Sequence, residues 1–292
     1  MPSKRQKKSK APVVVTVVLL MLLAFLAYWF DFAGVQSAGL LQKVQQATLS
    51  RPADSPHDFL DLIAEHKEVN EDTVGWLYVP GTGIDDVVVC DFTDNNYYLR
   101  RDFLHDYDFN GVFYADRRSE FGNGAVSGLG MNTCIYGHAM TDNPAYDNYY
   151  IKFGELHNFR DEDFARDTPY IYFSTERENL RWEVIAVFFA NRNLVPFNRN
   201  DLEPREIYRV VTEEILPRSI YTYDAAISRS DKFLTLSTCV YYLPDGTYTH
   251  YPDTHMRYSV VARLVRSGEE IKETAQFGVN NNPVTDPDPF PN

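Results

Sequence analysis

The sequence predicts a mainly β fold with a helix at its start and a second helix set among the strands. Three observations carry that reading. Short stretches rich in Val, Ile, Tyr and Phe follow one another from residue 74 to residue 265. A helical signal precedes them. One long insertion, between Ala190 and Lys232, breaks the strand pattern with helical spacing. Many short strands with turns between them suggest a barrel or a sandwich.

In chain order, Ser55 is a candidate N-cap, Pro56 suits the first helical position and Asp58 the third. Phe59, Leu62, Ile63 and His66 then give one apolar face, and the helix is expected to end near Val69-Asn70. VGWLYVPGTGIDDVVVC, residues 74–90, reads as strand, Pro-Gly turn, strand. NGVFYAD (110–116), NTCIYGHAM (132–140), TPYIYFST (168–175), LRWEVIAVFFA (180–190), KFLTLSTCVYY (232–242) and RYSVVARLV (257–265) are further strands. In the insertion, Ile207, Val211 and Ile215 are spaced i, i+4, i+8, and Pro217 stops the helix. Such a helix is either the wall of a groove or a plain connection.

The two ends of the chain differ from the middle. Residues 1–10 carry five basic residues and no acid, and residues 11–30 carry no charge. Twenty helical residues span about 30 Å, the thickness of a bilayer core. We therefore expect a cytoplasmic basic tail (1–10), a transmembrane anchor (11–30) and a stalk (31–54). The positive-inside rule then leaves the N-terminus in the cytoplasm and the rest of a single-pass cell-membrane protein outside. A cleaved signal peptide is the competing reading. Residues 267–292 are polar, with four prolines between Asn280 and Asn292, and are expected to be disordered.

The full chain has 28 Lys and Arg against 41 Asp and Glu, a net charge of −13. The five basic residues of the first ten set aside, residues 31–292 carry 23 against 41, or −18. That argues against nucleic acid as a partner, since phosphate binding needs clustered positive charge. Three cysteines, Cys90, Cys134 and Cys239, do not make a disulfide scaffold, and no Cys-x-x-Cys or zinc spacing occurs. No metal or other cofactor is implied.

Cysteine chemistry needs a thiolate, a proton carrier or cation nearby, and donors for an oxyanion. Cys239 ends an apolar strand beside a loop, where a side chain is both positioned and reachable. Core packing is the bland alternative, and Cys90 and Cys134 read as small core hydrophobes. Of seven histidines, His138 sits at another strand end, just after Gly137. Arg257 opens a strand and can supply a fixed cationic fork; a solvated surface charge is the alternative.

With LTLSTC, RYSVVARL and NTCIYGHAM in place, the chain resembles the sortases, membrane-anchored cysteine transpeptidases of Gram-positive bacteria with a TLxTC motif, a histidine and an arginine. The likeness is closest to class B, through VGWLYVPGTGIDDVVV, NNYYLRRDF and GVFYAD, and covers about residues 55–266. It implies a closed β-barrel with N-terminal helices and a helix inserted before the cysteine strand, with 55–266 as the catalytic domain. It further implies Cys239 as nucleophile, His138 as general acid/base and Arg257 as the stabilising arginine. Asn95, Leu99 and Ser237 match positions lining the class B substrate groove.

The resemblance implies as partners secreted proteins with a C-terminal sorting signal, and an amine acceptor on peptidoglycan or a pilin. A peptidase that only hydrolyses, or a non-catalytic cell-wall binding domain, would be the alternatives. The loop 240–256 is longer and more aromatic than expected of compact class B members. Residues 282–286, Asn-Pro-Val-Thr-Asp, resemble the NPxT-type signal that class B enzymes cut, which suggests a self-substrate or merely a chance match.

Overall fold

The computed structural model describes residues 58–243, 246 and 255–286, all within the unit Asp54–Asn292. The first helix among the described residues, α1 (Leu60–Val69), starts later than the Ser55-Pro56 signal suggests. Phe59 is the N-cap and makes no side-chain cap bond, and the Leu60 amide donates instead to Asp58 Oδ1 at 3.3 Å. Asn179 ties this start down: its Oδ1 accepts from the Phe59 amide and its Nδ2 donates to Asp58, both at 2.9 Å. Leu62, Ile63 and His66 form the buried face, as the spacing predicts.

Among the described residues ten strands follow: β1 (Thr73–Tyr78), β2 (Asp85–Val89), β3 (Phe113–Ala115), β4 (Asn132–Tyr136), β5 (Tyr170–Ser174), β6 (Arg181–Asn191), β7 (Tyr221–Tyr223), β8 (Phe233–Cys239), β9 (Met256–Leu264) and β10 (Phe277–Val279). Eight close into a barrel in the order β1-β2-β3-β4-β8-β9-β6-β5, with β7 and β10 as a separate pair. Closure removes the open edges that would leave backbone groups unpaired. The expected closed β-barrel is therefore present. Of the expected N-terminal helices, the described residues hold one.

Alternation along the strands sorts side chains into two apolar layers. Leu234, Leu236, Tyr258, Val260 and Ala262 point inward with Ile135, Trp182 and Val184, and all are buried. A second cluster lies under the inserted helix. That helix comprises α3 (Pro204–Arg209), a π-helical stretch (Val210–Ile215) and a 3-10 turn (Leu216–Arg218); the short α2 (Glu162–Asp167) precedes β5. Glu203 and Glu206 form a capping box and Pro204 fills the first turn. Ile207, Val211 and Ile215 bury against Phe188, Phe233 and Val261.

Two expectations need correction. The single-pass membrane localisation, with the membrane as partner, does not stand: among the described residues no helix is long and apolar enough to cross a membrane. The tail (1–10), anchor (11–30) and stalk (31–54) lie outside the described residues. The tail from 267 is not disordered up to Asp286. β10 pairs antiparallel with β7, and the amides of Ala275, Asn280 and Val284 donate to carbonyls of Arg166, Ile220 and Pro217. Asp286, its side chain 2 % exposed, pairs with Arg218 at 2.9 Å and accepts from the Asn191 amide at 2.6 Å. The packed unit thus runs past the expected boundary at 266. One buried ion pair and a short strand hold a segment whose composition alone would not fold.

Candidate active site

Strand direction gathers the site at one mouth of the barrel. β4 runs parallel to β8, and β9 runs antiparallel to both β8 and β6. The C-terminal ends of β4, β6 and β8 therefore emerge together. His138 follows β4, Arg192 follows β6 and Cys239 ends β8; Arg257, at the start of β9, stands directly opposite Cys239 in register. Strands so paired lie about 4.8 Å apart. A cavity of about 290 Å³ opens here. Its lining includes Cys239, His138, Arg257, Asn95, Leu99 and Ser237, all six residues expected at the site.

The three thiols are not equivalent. Cys90 and Cys134 are fully buried and Cys239 is half-buried. Burial, with the Asp116 charge adding to it, pushes the Cys90 thiol up to about 12 and raises Cys134 as well. Both stay protonated and inert, as core thiols do. Polar side chains line the Cys239 face of β8: Ser259 Oγ donates to Ser237 Oγ at 3.1 Å and Thr235 donates to Asn132 Oδ1 at 2.9 Å. Thr238 points the other way and donates to the Gly137 carbonyl at 2.7 Å, fastening the end of β8 to the end of β4.

Gly137 is required where it stands. A Cβ there would lie 2.7 Å from the Phe153 ring and 2.8 Å from Phe113. Without it those rings pack close, and the Phe153 amide donates to the His138 carbonyl at 2.8 Å. The His138 ring is buried, with Nε2 2.8 Å from the Leu99 carbonyl. A carbonyl only accepts, so Nε2 carries the proton of the neutral ring. Arg100 Nη1 lies 3.2 Å from the same nitrogen and acts on it as a charge, while the guanidinium rests on the Phe109 ring at 4.3 Å. Burial first, and then Arg100, holds the imidazole below its ordinary value, against the Leu99 carbonyl and Asp108. Asn95 Oδ1 accepts from the Arg117 amide at 2.8 Å.

A layer behind Cys239 escaped the sequence reading. His157 lies in a polar-looking stretch, yet its ring is buried and stacks on Tyr258 with centroids 4.4 Å apart. Its Nε2 donates to the Cys239 carbonyl at 3.1 Å. Burial pushes its pKa down to about 4, with Asp142 opposing the shift. Asp142 accepts from the amides of Tyr241 and Tyr242, at 3.3 and 2.9 Å, and pairs with Arg160 at 3.5 Å. Together these groups fix the turn that leaves Cys239. The signal available in sequence was the apolar flank of Phe153, Leu156 and Phe159 around His157.

The inserted helix is not the groove wall. No residue of 204–218 lines the cavity; Arg192, Phe197 and Asn198, from the loop before the helix, do. Asn132 pins that loop by donating to the Phe197 carbonyl at 3.1 Å and to Asn200 at 3.0 Å. The helix backs the loop from behind. Residues 282–286 do not line the cavity either. Most of the loop 240–256 lies outside the described residues.

No protein-family model matches the chain. Sortase B of Listeria monocytogenes is 28% identical over 181 residues, 61% of this chain and 67% of that protein. Sortase B of Staphylococcus aureus is 27% identical over 202 residues, 68% of this chain and 73% of that one. Among solved structures, the Staphylococcus aureus sortase B–substrate complex matches with a TM-score of 0.60 at 23% identity, covering 82% of this chain and 98% of that one. Clostridium perfringens sortase B matches with a TM-score of 0.56 at 24% identity, covering 70% and 99%. The closed barrel and these relatives define a cysteine transpeptidase of the sortase type. Within that type the similarity is to class B sortases, in sequence to the two relatives and in fold to the solved structures.

Proposed function

We propose that the chain cleaves a C-terminal sorting signal on secreted proteins and transfers the acyl group to an amine of peptidoglycan or of a pilin. The observation that carries this reading is the convergence of Cys239, His138 and Arg257 on one cavity at the mouth where β4 and β8 end and β9 begins. Neutral His138 takes the proton of the Cys239 thiol, and the thiolate sulfur bonds to the carbonyl carbon of the threonine in the signal. Arg257, across the strand pair, steadies the oxyanion of the tetrahedral intermediate. His138 returns its proton to the departing nitrogen, the C–N bond breaks and a thioester remains on Cys239. An incoming amine attacks that thioester, a new amide forms and the thiol is restored. Asn95, Leu99 and Ser237 hold the signal peptide along the cavity. Transfer of a sorting-signal peptide to an added amine tests the reading. Cys239→Ala is expected to abolish transfer, and full activity in that variant would sink the assignment.

A further inference from the structure

The cavity is cationic although the chain is acidic. Among the described residues four guanidiniums line it, those of Arg100, Arg118, Arg192 and Arg257, against one carboxylate, that of Asp116. That carboxylate is already committed: Arg118 grips it through Nε at 2.8 Å and Nη2 at 2.9 Å, and the Tyr136 hydroxyl donates to it at 2.8 Å. The chain as a whole carries −13. A positive cleft in a negative surface focuses its field on anions that enter.

The excess has a definite place. Arg257 faces Cys239 in register, where the oxyanion forms. Ala190 pairs with Arg257 on the other side of β9, and the chain continues from β6 to Arg192, whose amide donates to the His255 carbonyl at 3.1 Å. Arg192 thus stands at the same mouth, where it lines the cavity, stays exposed to solvent and has no ion-pair partner among the described residues. Partial desolvation at the cavity rim, and next the charge of Arg257, press its guanidinium below the ordinary value. Arg192 and Arg257 line the same cavity, like charges so placed oppose each other, and an anion beside Arg192 relieves it.

We propose that the cavity takes a substrate bringing a carboxylate close to the reacting carbonyl, and that Arg192 receives it through a charge-assisted pair. The inference rests on the transfer reaction set out above and adds the chemistry of what is transferred or what accepts it. The carboxylate comes either from an acidic residue just after the threonine of the donor peptide or from an amine acceptor that carries one on its amine-bearing carbon.

The first test needs no sorting signal. Cys239 is alkylated with iodoacetate and with iodoacetamide, and the rates are read by mass spectrometry of the Cys239 peptide. A carboxylate-binding cation beside the thiolate raises the rate ratio of the charged reagent to the neutral one. Arg192→Gln is expected to lower that ratio on the order of tenfold, the size of one charge-assisted pair, and Arg192→Lys to keep most of it. The second test separates the sources. Transfer is measured with Asn-Pro-Val-Thr peptides continued by Asp or Asn, and with an α-carboxylate amine or its carboxamide as acceptor. A preference for the acid in one arm, lost in Arg192→Gln, identifies the source. The proposal is overturned if Arg192→Gln leaves the alkylation ratio at its wild-type value, which makes Arg192 a solvated rim charge. It is equally overturned if transfer runs and neither arm shows a preference that depends on Arg192. Absence of transfer in every combination, with the ratio still dependent on Arg192, contradicts the transpeptidase reading and leaves the carboxylate site standing.

Discussion

His138 rests neutral because its ring is buried, and Arg100 strengthens the effect from 3.2 Å away. The proposed reaction begins with a neutral imidazole, so activity is expected to fall as pH drops through the His138 pKa. The acid limb of kcat/KM, which reports the free enzyme, is therefore expected below pH 6.5. Arg100→Gln removes the cation and is expected to move that limb upward; an unchanged limb would show that Arg100 does not act on His138. His157 carries a second pH effect. Its folded pKa, about 4, lies below the ordinary 6.5, so the folded state holds fewer protons than the unfolded one in that window. The stability it contributes is complete above pH 6.5 and is lost as pH falls toward 4. Denaturant unfolding at pH 7 and pH 5 is expected to show this loss, and His157→Gln to flatten it. The sequence singles out Cys239, His138 and Arg257 because each stands at a strand end beside a loop, and the three line one cavity. Arg192, just after the strand 180–190, obeys the same rule and was passed over. His157 was hidden because its partner, the Cys239 carbonyl, lies 82 residues away.

The inserted helix shows what periodicity gives and what it withholds. Ile207, Val211 and Ile215 face the barrel as their spacing predicts. Nothing in that spacing reveals the π-helical stretch, or that the preceding loop forms the groove wall, since both depend on what the helix packs against. The C-terminal segment is the sharper case. Its prolines and asparagines read as disorder, and its anchor is one side chain, Asp286, that finds Arg218 and the Asn191 amide far back along the chain. Asn191 ends β6, immediately before Arg192, so this clamp also steadies the mouth of the site. Asp286→Ala leaves the Arg218 guanidinium, itself 11% exposed, with Glu214 alone. A loss of about 2 kcal/mol is expected, measurable as a lower urea midpoint at unchanged slope. A midpoint equal to that of the wild type would mean that the clamp adds nothing.

At the scale of the molecule, alternation along each strand foretold which residues face the core, and turn residues foretold where strands stop. The order of strands around the barrel is another matter. β4 and β8 are neighbours although about a hundred residues separate them, and only that parallel pairing brings His138 beside Cys239. Such long-range pairing has no local signature; here it became legible through resemblance to a known family. The same topology ranks the thiols. Cys90 and Cys134 lie inside the barrel wall and Cys239 opens on its mouth, so brief iodoacetamide treatment is expected to modify Cys239 and spare the other two. Modification of Cys90 or Cys134 ahead of Cys239 would speak against the burial described. The central claim, that Cys239 carries the acyl group between donor and acceptor, is tested most directly by intact-protein mass spectrometry during turnover of a sorting-signal peptide. A mass increase equal to the acyl fragment is predicted, mapped to Cys239, absent in Cys239→Ala and discharged by added amine. An adduct on another residue, or transfer continuing in Cys239→Ala, would contradict it.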